Sequence, residues 1–141
     1  MSYDTDNIFA KILRGDASSI KLYEDENTYV MMDIMPQYVG HTLVLTREPA
    51  ATLFELSPEG AAACIRTAQK VAAAIDEALK PDGVVISQFN RAAAGQTVDH
   101  VHFHVIPRYQ GQAMKPHGRE MADRAELETT AEKIRAALAR Q

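Results

Sequence analysis

The stretch 99–108, DHVHFHVIPR, places His100, His102 and His104 at alternate positions. Apolar side chains fill the positions between them, which is the pattern of a half-buried β-strand. Side chains two residues apart lie on the same face of a strand, roughly 6.6–6.8 Å apart, so the three imidazoles are expected to share one face. The residues expected on the core face are Val101, Phe103 and Val105. Three of the five histidines of the chain fall within these five residues, and core packing gives no reason for that.

The pattern on either side of this stretch predicts strands that alternate with a few helices. The predicted strands are 20–24, 28–33, 42–45, 84–89 and 98–106, with Pro107 ending the last one. The predicted helices are a short one over 7–14 capped by Asn7, a long one from the Ser57 cap to Lys80 and a third over about 119–140, with a helical turn at 50–56. Consecutive strands with one long helix between them indicate an α+β fold, in which the long helix lies across an antiparallel sheet.

Length and charge limit the classes of protein and partner. A chain of 141 residues is expected to form one domain. With a net charge of −4, it has no basic surface for duplex nucleic acid, although backbone amides could still hold a nucleotide. No apolar run reaches the length of a membrane span, and residues 1–11 lack the features of a signal peptide. The single cysteine, Cys64, suits a reducing compartment, so a cytoplasmic location is expected.

The three histidines allow three uses. As ordinary packing residues they would repel one another on protonation, which makes that use the least favoured. As metal ligands they would span roughly 13 Å along the strand, too far for three imidazoles to converge on one zinc ion at about 2.0–2.1 Å. Two of them with one further ligand could still hold a metal. The third use is nucleophilic catalysis at phosphorus by a neutral imidazole.

A nucleophile at phosphorus also needs donors for the phosphoryl oxygens, and these directly precede the strand. Gly95 allows a bend that could present successive backbone N–H groups as an anion site. The Gln96 amide and the Thr97 hydroxyl add side-chain donors. No lysine lies in this stretch, which favours a nucleotide ester or amide over a triphosphate.

Residues 100–106, HVHFHVI, resemble the motif of the histidine-triad (HIT) family, which has three histidines alternating with apolar residues. The likeness extends through 94–108, AGQTVDHVHFHVIPR, and upstream through 7–16, NIFAKILRGD, and 22–45, LYEDENTYVMMDIMPQYVGHTLVL. It covers roughly residues 7–110. We therefore assign 1–110 to a HIT domain and 111–141 to a C-terminal extension whose amphipathic helix packs on the same fold.

The resemblance implies a five-stranded antiparallel sheet in each subunit, joined into a ten-stranded sheet in a homodimer. It implies hydrolysis or transfer at the α-phosphate of a purine nucleotide, with His102 as the nucleophile that forms a nucleotidyl-histidine intermediate. His100 would orient His102, and His104 would contact the phosphate or the bridging atom. Thr97 and Gln96 would bind phosphate and assist the leaving group.

The resemblance also implies a nucleotide site. Asp33 matches the ribose-binding acid of the family, and His41 matches a further histidine beside the triad. Asn90 and Gly95 stand on the phosphate side, next to Gln96. The residues that match the apolar base site are Ile8, Phe9, Ile12, Met31 and Ile34.

The chain departs from its relatives at several positions. Asn7 and Ala10 stand where many bacterial relatives have a Cys-x-x-Cys pair, and Glu48 and Pro49 where a histidine is common. We therefore predict no structural zinc and no cofactor. Phe89 and Arg91, on either side of Asn90, also differ from the usual residues, and their effect on phosphate binding is open.

The lead function is that of a purine nucleoside phosphoramidase. The alternatives are a diadenosine-polyphosphate hydrolase and a nucleotide-binding scaffold with weak activity. Neither membrane nor duplex nucleic acid is an expected partner.

Overall fold

A computed structural model describes residues 3–116, 118 and 120–141. Five antiparallel strands form one sheet in the order β1-β2-β3-β5-β4. The strands are β1 Lys21–Glu24, β2 Thr28–Met32, β3 Thr42–Thr46, β4 Gly83–Ser87 and β5 His102–Arg108. The helices are α1 Ile8–Leu13, α2 Pro58–Leu79 and α3 Arg124–Ala139, with a 3₁₀ turn at Ala92–Ala94. The predicted α+β class is confirmed, with its antiparallel sheet, long helix and C-terminal helix.

The two faces of the sheet pack against different helices, because alternate residues of a strand point to opposite sides. On one face, Val30 and Val44 pack in the main core with α2 and α3. On the other face, Met31 and Leu43 form a smaller cluster with Phe9 and Ile12 of α1. Both faces of β3 are therefore covered, and all five of its residues are buried.

Both predicted helix caps are confirmed. Asn7 accepts the N–H of Ala10 at the start of α1, and Ser57 accepts the N–H of Gly60 at the start of α2. Glu48 in turn accepts the backbone N–H and the hydroxyl of Ser57, at 2.8 and 2.7 Å. The helix that covers the sheet is thus tied to the segment that follows β3.

The histidine strand begins later than predicted and continues further. Val98 accepts the N–H of His100 in a tight turn, so the strand begins at His102 rather than at Val98. The prediction that Pro107 ends the strand is wrong, since β5 continues through it to Arg108. Proline is tolerated there because the pairing of β5 with β3 stops at Val105, so Pro107 has a neighbouring strand on one side only.

The last helix also begins later than predicted. Arg119, where the sequence places its start, lies outside the described residues, and α3 begins at Arg124 with Asp123 as its cap. Ala122 lies outside the helix and donates its N–H to the carbonyl of Ile34, 2.9 Å away. The peptide group that would have joined the first turn is therefore used to hold the chain against the loop after β2.

The C-terminal helix belongs to the main core of its own chain. Leu127, Ala131, Ile134 and Ala137 are buried together with residues of α2 and the sheet. Arg135 also donates to the carbonyl of Lys21 in β1 at 2.8 Å. Among the described residues, no helix has the length and apolarity to cross a bilayer.

Replacing Ile134 by alanine tests this packing. Ile134 is fully buried, so we expect Ile134→Ala to lower the free energy of unfolding by about 2–5 kcal/mol in urea denaturation. Lys133→Ala is the matched control, because the neighbouring Lys133 is exposed and surface changes usually stay within about 0.5 kcal/mol. Equal effects of the two substitutions would show that α3 is not part of the core.

Candidate active site

A cavity of about 440 Å³ opens on the α1 side of the sheet. Of the residues predicted for the site, those that line it are Ile8, Phe9, Ile12, Met31, Asp33, Ile34, Thr97, His102 and His104. Four predicted residues lie behind or beside it instead: His41, Asn90, Gln96 and His100. Gly95 also lies outside the lining, in the loop before Gln96. The cavity therefore joins an apolar side to two histidines and one acid.

The tautomer of His102 follows from its backbone partner. Its Nδ1 lies 2.6 Å from the carbonyl oxygen of His100, and a carbonyl can only accept. Nδ1 therefore carries the proton, and the lone pair of the neutral ring is on Nε2. Phe9 packs edge-on against this imidazole with 4.8 Å between ring centroids. His102 is thus held in the form that a nucleophile or a base requires.

His104 is oriented from behind by His41. The backbone N–H of Gln37 donates to His41 Nδ1 at 3.0 Å, so the proton of the neutral His41 ring is on Nε2. That N–H faces His104 Nδ1 at 2.9 Å. His104 then carries its own proton on Nε2 and can donate it to an anionic oxygen. With 5.0 Å between the centroids of the His102 and His104 rings, a lone pair and an N–H donor lie side by side.

Asp33 stands at the other end of this hydrogen-bonded group. One carboxylate oxygen accepts the N–H of Met35 at 2.8 Å, and the other lies 3.5 Å from His41 Nε2. The residue is largely buried and lines the cavity. Its carboxylate is therefore held in one orientation at the edge of the apolar part of the cavity.

His100 is a buried residue whose two ring nitrogens both have partners. Nε2 donates to the carbonyl of Thr46 at 2.7 Å, and Nδ1 accepts from the hydroxyl of Tyr3. Burial is the main cause that lowers the pKa of His100, partly opposed by the bond to Thr46. His100 does not line the cavity, so it acts on the site through its carbonyl, which holds His102.

Gln96 holds the loop before the triad together. Its amide nitrogen donates to the carbonyls of Ala51 and Val98, at 2.6 and 2.9 Å, and its oxygen accepts the N–H of Arg91 at 2.6 Å. Both amide hydrogens are thus used inside the protein, and the assignment of this side chain to phosphate binding stays a prediction. Arg91 adopts φ 77° and ψ 157°, a backbone conformation that residues other than glycine avoid, and the bond to Gln96 stabilises it.

The predicted nest of backbone N–H groups is also used differently. Gly95 has φ 105°, which favours glycine, but its N–H donates to the carbonyl of Ala92 at 3.0 Å. The N–H of Gln96 donates to the carbonyl of Arg91 at 3.1 Å. These two amides therefore close the turn instead of pointing at an anion, whereas Thr97 does line the cavity.

Asn90 is a second residue that shapes the loop. Its side-chain oxygen accepts the N–H of Leu53 at 2.7 Å, and its amide exchanges two hydrogen bonds with Gln88, both at 2.8 Å. The neighbouring Phe89 places its ring 5.3 Å from that of His104, centroid to centroid. Phe89 therefore contacts the site directly, although the sequence identified it only as a departure from the family.

Several lining residues were not predicted. They are Ser18, Ser19, Met32, Met35, Leu43, Val98 and Gly118. Leu43 could have been found from strand pairing, because it lies opposite His104 in the sheet. Gly118 comes from the segment after 111, which the resemblance does not cover, so no motif could have placed it here.

One group of described residues could hold a metal ion. Ligand atoms of Asp33, His41 and His104 lie within 4.8 Å of one another. A metal on His41 Nε2 would need the lone pair at that nitrogen, and the N–H of Gln37 facing Nδ1 places the ring proton there instead. The arrangement therefore fits a chain of hydrogen bonds better than a metal centre.

Comparisons with known proteins agree with this geometry. The sequence pattern of the HIT domain family matches residues 14–111. The adenosine 5'-monophosphoramidase of Schizosaccharomyces pombe is 42% identical over 101 residues, which are 72% of this chain and 73% of that one. A crystal structure of a Hit-like protein from Bartonella henselae, with an unknown ligand, has a TM-score of 0.90 and 42% identity, covering 96% of this chain and 99% of that one. A zinc-bound histidine triad family protein from Mycobacterium smegmatis has a TM-score of 0.84 and 39% identity, over 96% and 95% of the two chains.

The lowered pKa of His100 predicts a dependence of stability on pH. At a pH below 6.5, which is the ordinary pKa of a histidine, His100 is protonated in the unfolded chain. The buried ring of the folded protein binds this proton less readily. The free energy of unfolding should therefore fall as the pH drops below 6.5, until the lower folded pKa is passed. In urea denaturation between pH 7.5 and 5, we expect His100→Gln to show a shallower decrease than the wild type. An equal slope in the two proteins would contradict this.

Proposed function

Because this chain belongs to the HIT domain family, we propose that it is a nucleotide hydrolase or transferase that cleaves at the α-phosphate of a purine nucleotide. The family predicted from the triad is confirmed. The preferred substrate class is a nucleoside 5'-phosphoramidate or a similar monoester. The relative named adenosine 5'-monophosphoramidase supports this choice.

The reaction proceeds in two displacements. His102 Nε2 attacks the α-phosphorus, the bond from phosphorus to the leaving nitrogen or oxygen breaks, and the leaving group takes a proton from the donors beside it. Water then attacks the nucleotidyl-histidine, the new P–O bond replaces the P–N bond to His102, and the proton that the water releases returns to the donor that protonated the leaving group. The products are a nucleoside monophosphate, the amine or alcohol, and the free enzyme.

The bond from His102 Nδ1–H to the His100 carbonyl is the observation that carries this proposal. It keeps the lone pair on Nε2, and hydrogen bonding to a carbonyl also stabilises the positive charge that the ring gains when Nε2 bonds to phosphorus. His104, with a proton on Nε2, donates to a phosphoryl oxygen or to the bridging atom. Thr97 also lines the cavity, and its hydroxyl is the remaining donor for the leaving group.

The shape of the cavity supports a nucleoside with few phosphates. Its lining is mostly apolar, with Ile8, Phe9 and Ile12 from α1 and Met31 and Ile34 from β2 and the loop after it, which suits a purine ring. Asp33 is placed for the ribose hydroxyls. Among the described residues that line it, none is lysine or arginine, and this favours a phosphoramidate over a dinucleoside polyphosphate, whose added phosphates carry more negative charge.

A homodimer is also part of the proposal. β4 is an edge strand, and its Val85 and Ile86 are exposed, as is Ile65 on α2, which packs against β4. An exposed apolar edge strand is a template for pairing with another chain. Pairing of two β4 edges across a two-fold axis would join two five-stranded sheets into one of ten strands. A cytoplasmic location stays a prediction that rests on the single cysteine.

Substitution of His102 tests the proposed reaction. With an AMP amide of a fluorogenic amine, we expect His102→Ala to lower kcat/KM by at least roughly a thousandfold, because the nucleophile is lost. His102→Gly should regain part of the rate with added imidazole, which can enter the space of the missing ring. Lys133→Ala is the control for an unrelated surface change. Equal turnover by wild type and His102→Ala would overturn the proposal.

Two further results decide between this function and its alternatives. Faster hydrolysis of diadenosine polyphosphates than of the AMP amide would favour the second substrate class. Tight AMP binding without turnover of either compound would favour a binding protein. Wild-type activity should survive chelator treatment, since no step uses a metal; loss of activity that Zn²⁺ restores would contradict that.

The dimer can be tested at the edge strand. We expect Ile86→Asp to convert the dimer into a monomer in sedimentation velocity, because the carboxylate would have to be buried in the interface. Lys133→Asp is the control for an added negative charge on another surface. A wild-type monomer at the highest soluble concentration would show that the proposed pairing does not occur.

A further inference from the structure

We propose that Tyr3 is a positioning residue for His102, which it affects through His100 without touching the substrate. This inference rests on the proposed role of His102 as the nucleophile. Tyr3 lies 97 residues before His100 in the sequence, and the two side chains are joined by a hydrogen bond. Their rings also contact each other edge-on, with 5.7 Å between centroids.

The direction of each hydrogen bond in this group is fixed by chemistry. His100 Nε2 faces the carbonyl of Thr46 at 2.7 Å, which can only accept, so Nε2 carries the ring proton. His100 Nδ1 must then accept, and the Tyr3 hydroxyl is the donor. Asn7 Nδ2 donates to the Tyr3 oxygen at 2.8 Å. The order from Asn7 through Tyr3 and His100 to Thr46 therefore runs in one direction only.

This anchoring helps to place the His100 carbonyl. His100 precedes β5, and its peptide group lies outside the regular strand ladder, held on the backbone side by the Val101 N–H, which donates to the carbonyl of Ala50 at 2.9 Å. Its side chain is held at both ring nitrogens. The carbonyl that accepts the Nδ1–H of His102 is thus held by this backbone bond together with the side-chain bonds from Tyr3 and to Thr46.

Asn7 connects the same group to the nucleotide side. Its side-chain oxygen accepts the N–H of Ala10 and so caps α1, while its nitrogen holds Tyr3. Phe9, in the first turn of α1, contacts the rings of both His100 and His102, with centroid distances of 6.3 and 4.8 Å. The side-chain amide of Asn7 thus sets the start of α1, which lines the cavity, and also the orientation of Tyr3, which holds His100.

The protonation states agree with these directions. Burial is the main cause that raises the pKa of Tyr3, so its hydroxyl keeps its proton near neutral pH and can donate. Burial also lowers the pKa of His100, which keeps that ring neutral and its Nδ1 able to accept. Both shifts favour the arrangement described above.

Tyr3→Phe removes the donor and keeps the ring. We expect kcat for the AMP amide of a fluorogenic amine to fall roughly tenfold with KM within about twofold, because the nucleophile is less well positioned while the binding side is unchanged. Tyr109→Phe is the matched control, since the Tyr109 hydroxyl donates to the carbonyl of Leu79, a residue of α2 outside the cavity lining. It should leave both constants unchanged.

Asn7→Asp is a second variant that separates the two roles of Asn7. The carboxylate still caps α1, but it faces the Tyr3 oxygen with an acceptor and competes with His100 for the hydroxyl proton. We expect the same loss of kcat with a circular dichroism spectrum like that of the wild type. Unchanged kcat in both Tyr3→Phe and Asn7→Asp would overturn the inference.

A spectroscopic readout decides the inference independently of turnover. In ¹⁵N-detected imidazole NMR of the full chain, the Nδ1–H of His102 should exchange with water faster in Tyr3→Phe than in wild type or Tyr109→Phe. Unchanged exchange would overturn the role of Tyr3. If the wild type does not turn over the amide, the proposed function fails, and this exchange rate still shows whether Tyr3 positions His102.

Discussion

The hydrogen bond from His102 Nδ1 to the carbonyl of His100 is the constraint on which the site depends. A carbonyl that took part in the regular ladder of β5 would be pointing at a neighbouring strand. The carbonyl of His100 is available because the chain turns at Val98–His100 and β5 begins only at His102. The irregular entry to the strand is therefore what gives one of the alternating histidines, His102, a fixed tautomer with its lone pair on Nε2.

The sheet makes this orientation stable. Because its alternate residues pack against α2 and α3 on one side, the other side can carry the cavity without leaving the strands unsupported. His104 is supported by strands on both sides, since it lies between Leu43 on β3 and Ser87 on β4. The face that carries His102 and His104 thus rests on a rigid element, as a precisely positioned site requires.

Local sequence patterns predicted the features that depend on residues close together in the chain. Alternation placed His102 and His104 on one strand face, and the caps at Asn7 and Ser57 followed from short-range hydrogen bonding. The apolar residues around Phe9 were identified as one side of a site only through the family resemblance. The bonds from Tyr3 to His100 and from His41 to His104 span 97 and 63 positions, so no local pattern contains them. The hydrogen bonds by which Gln96 holds its loop were not predicted for the same reason. Its partners at Ala51 and Arg91 are known only when the loops meet in space.

The loop after β2 has a consequence for how this fold varies. Gln37 holds His41 through its backbone N–H, and its carbonyl accepts the N–H of Lys115, while Ile34 accepts that of Ala122. The C-terminal segment, which lies beyond the family match at residue 111, is thus hydrogen-bonded to the same short loop that sets the tautomer of His41 and His104. Exchanging the C-terminal segment between relatives would therefore alter the hydrogen bonds that hold this loop. Substitutions in the C-terminal segment, which carries no family motif, can therefore change the orientation of His41 and His104 beside the histidine motif. The two regions would have to evolve together.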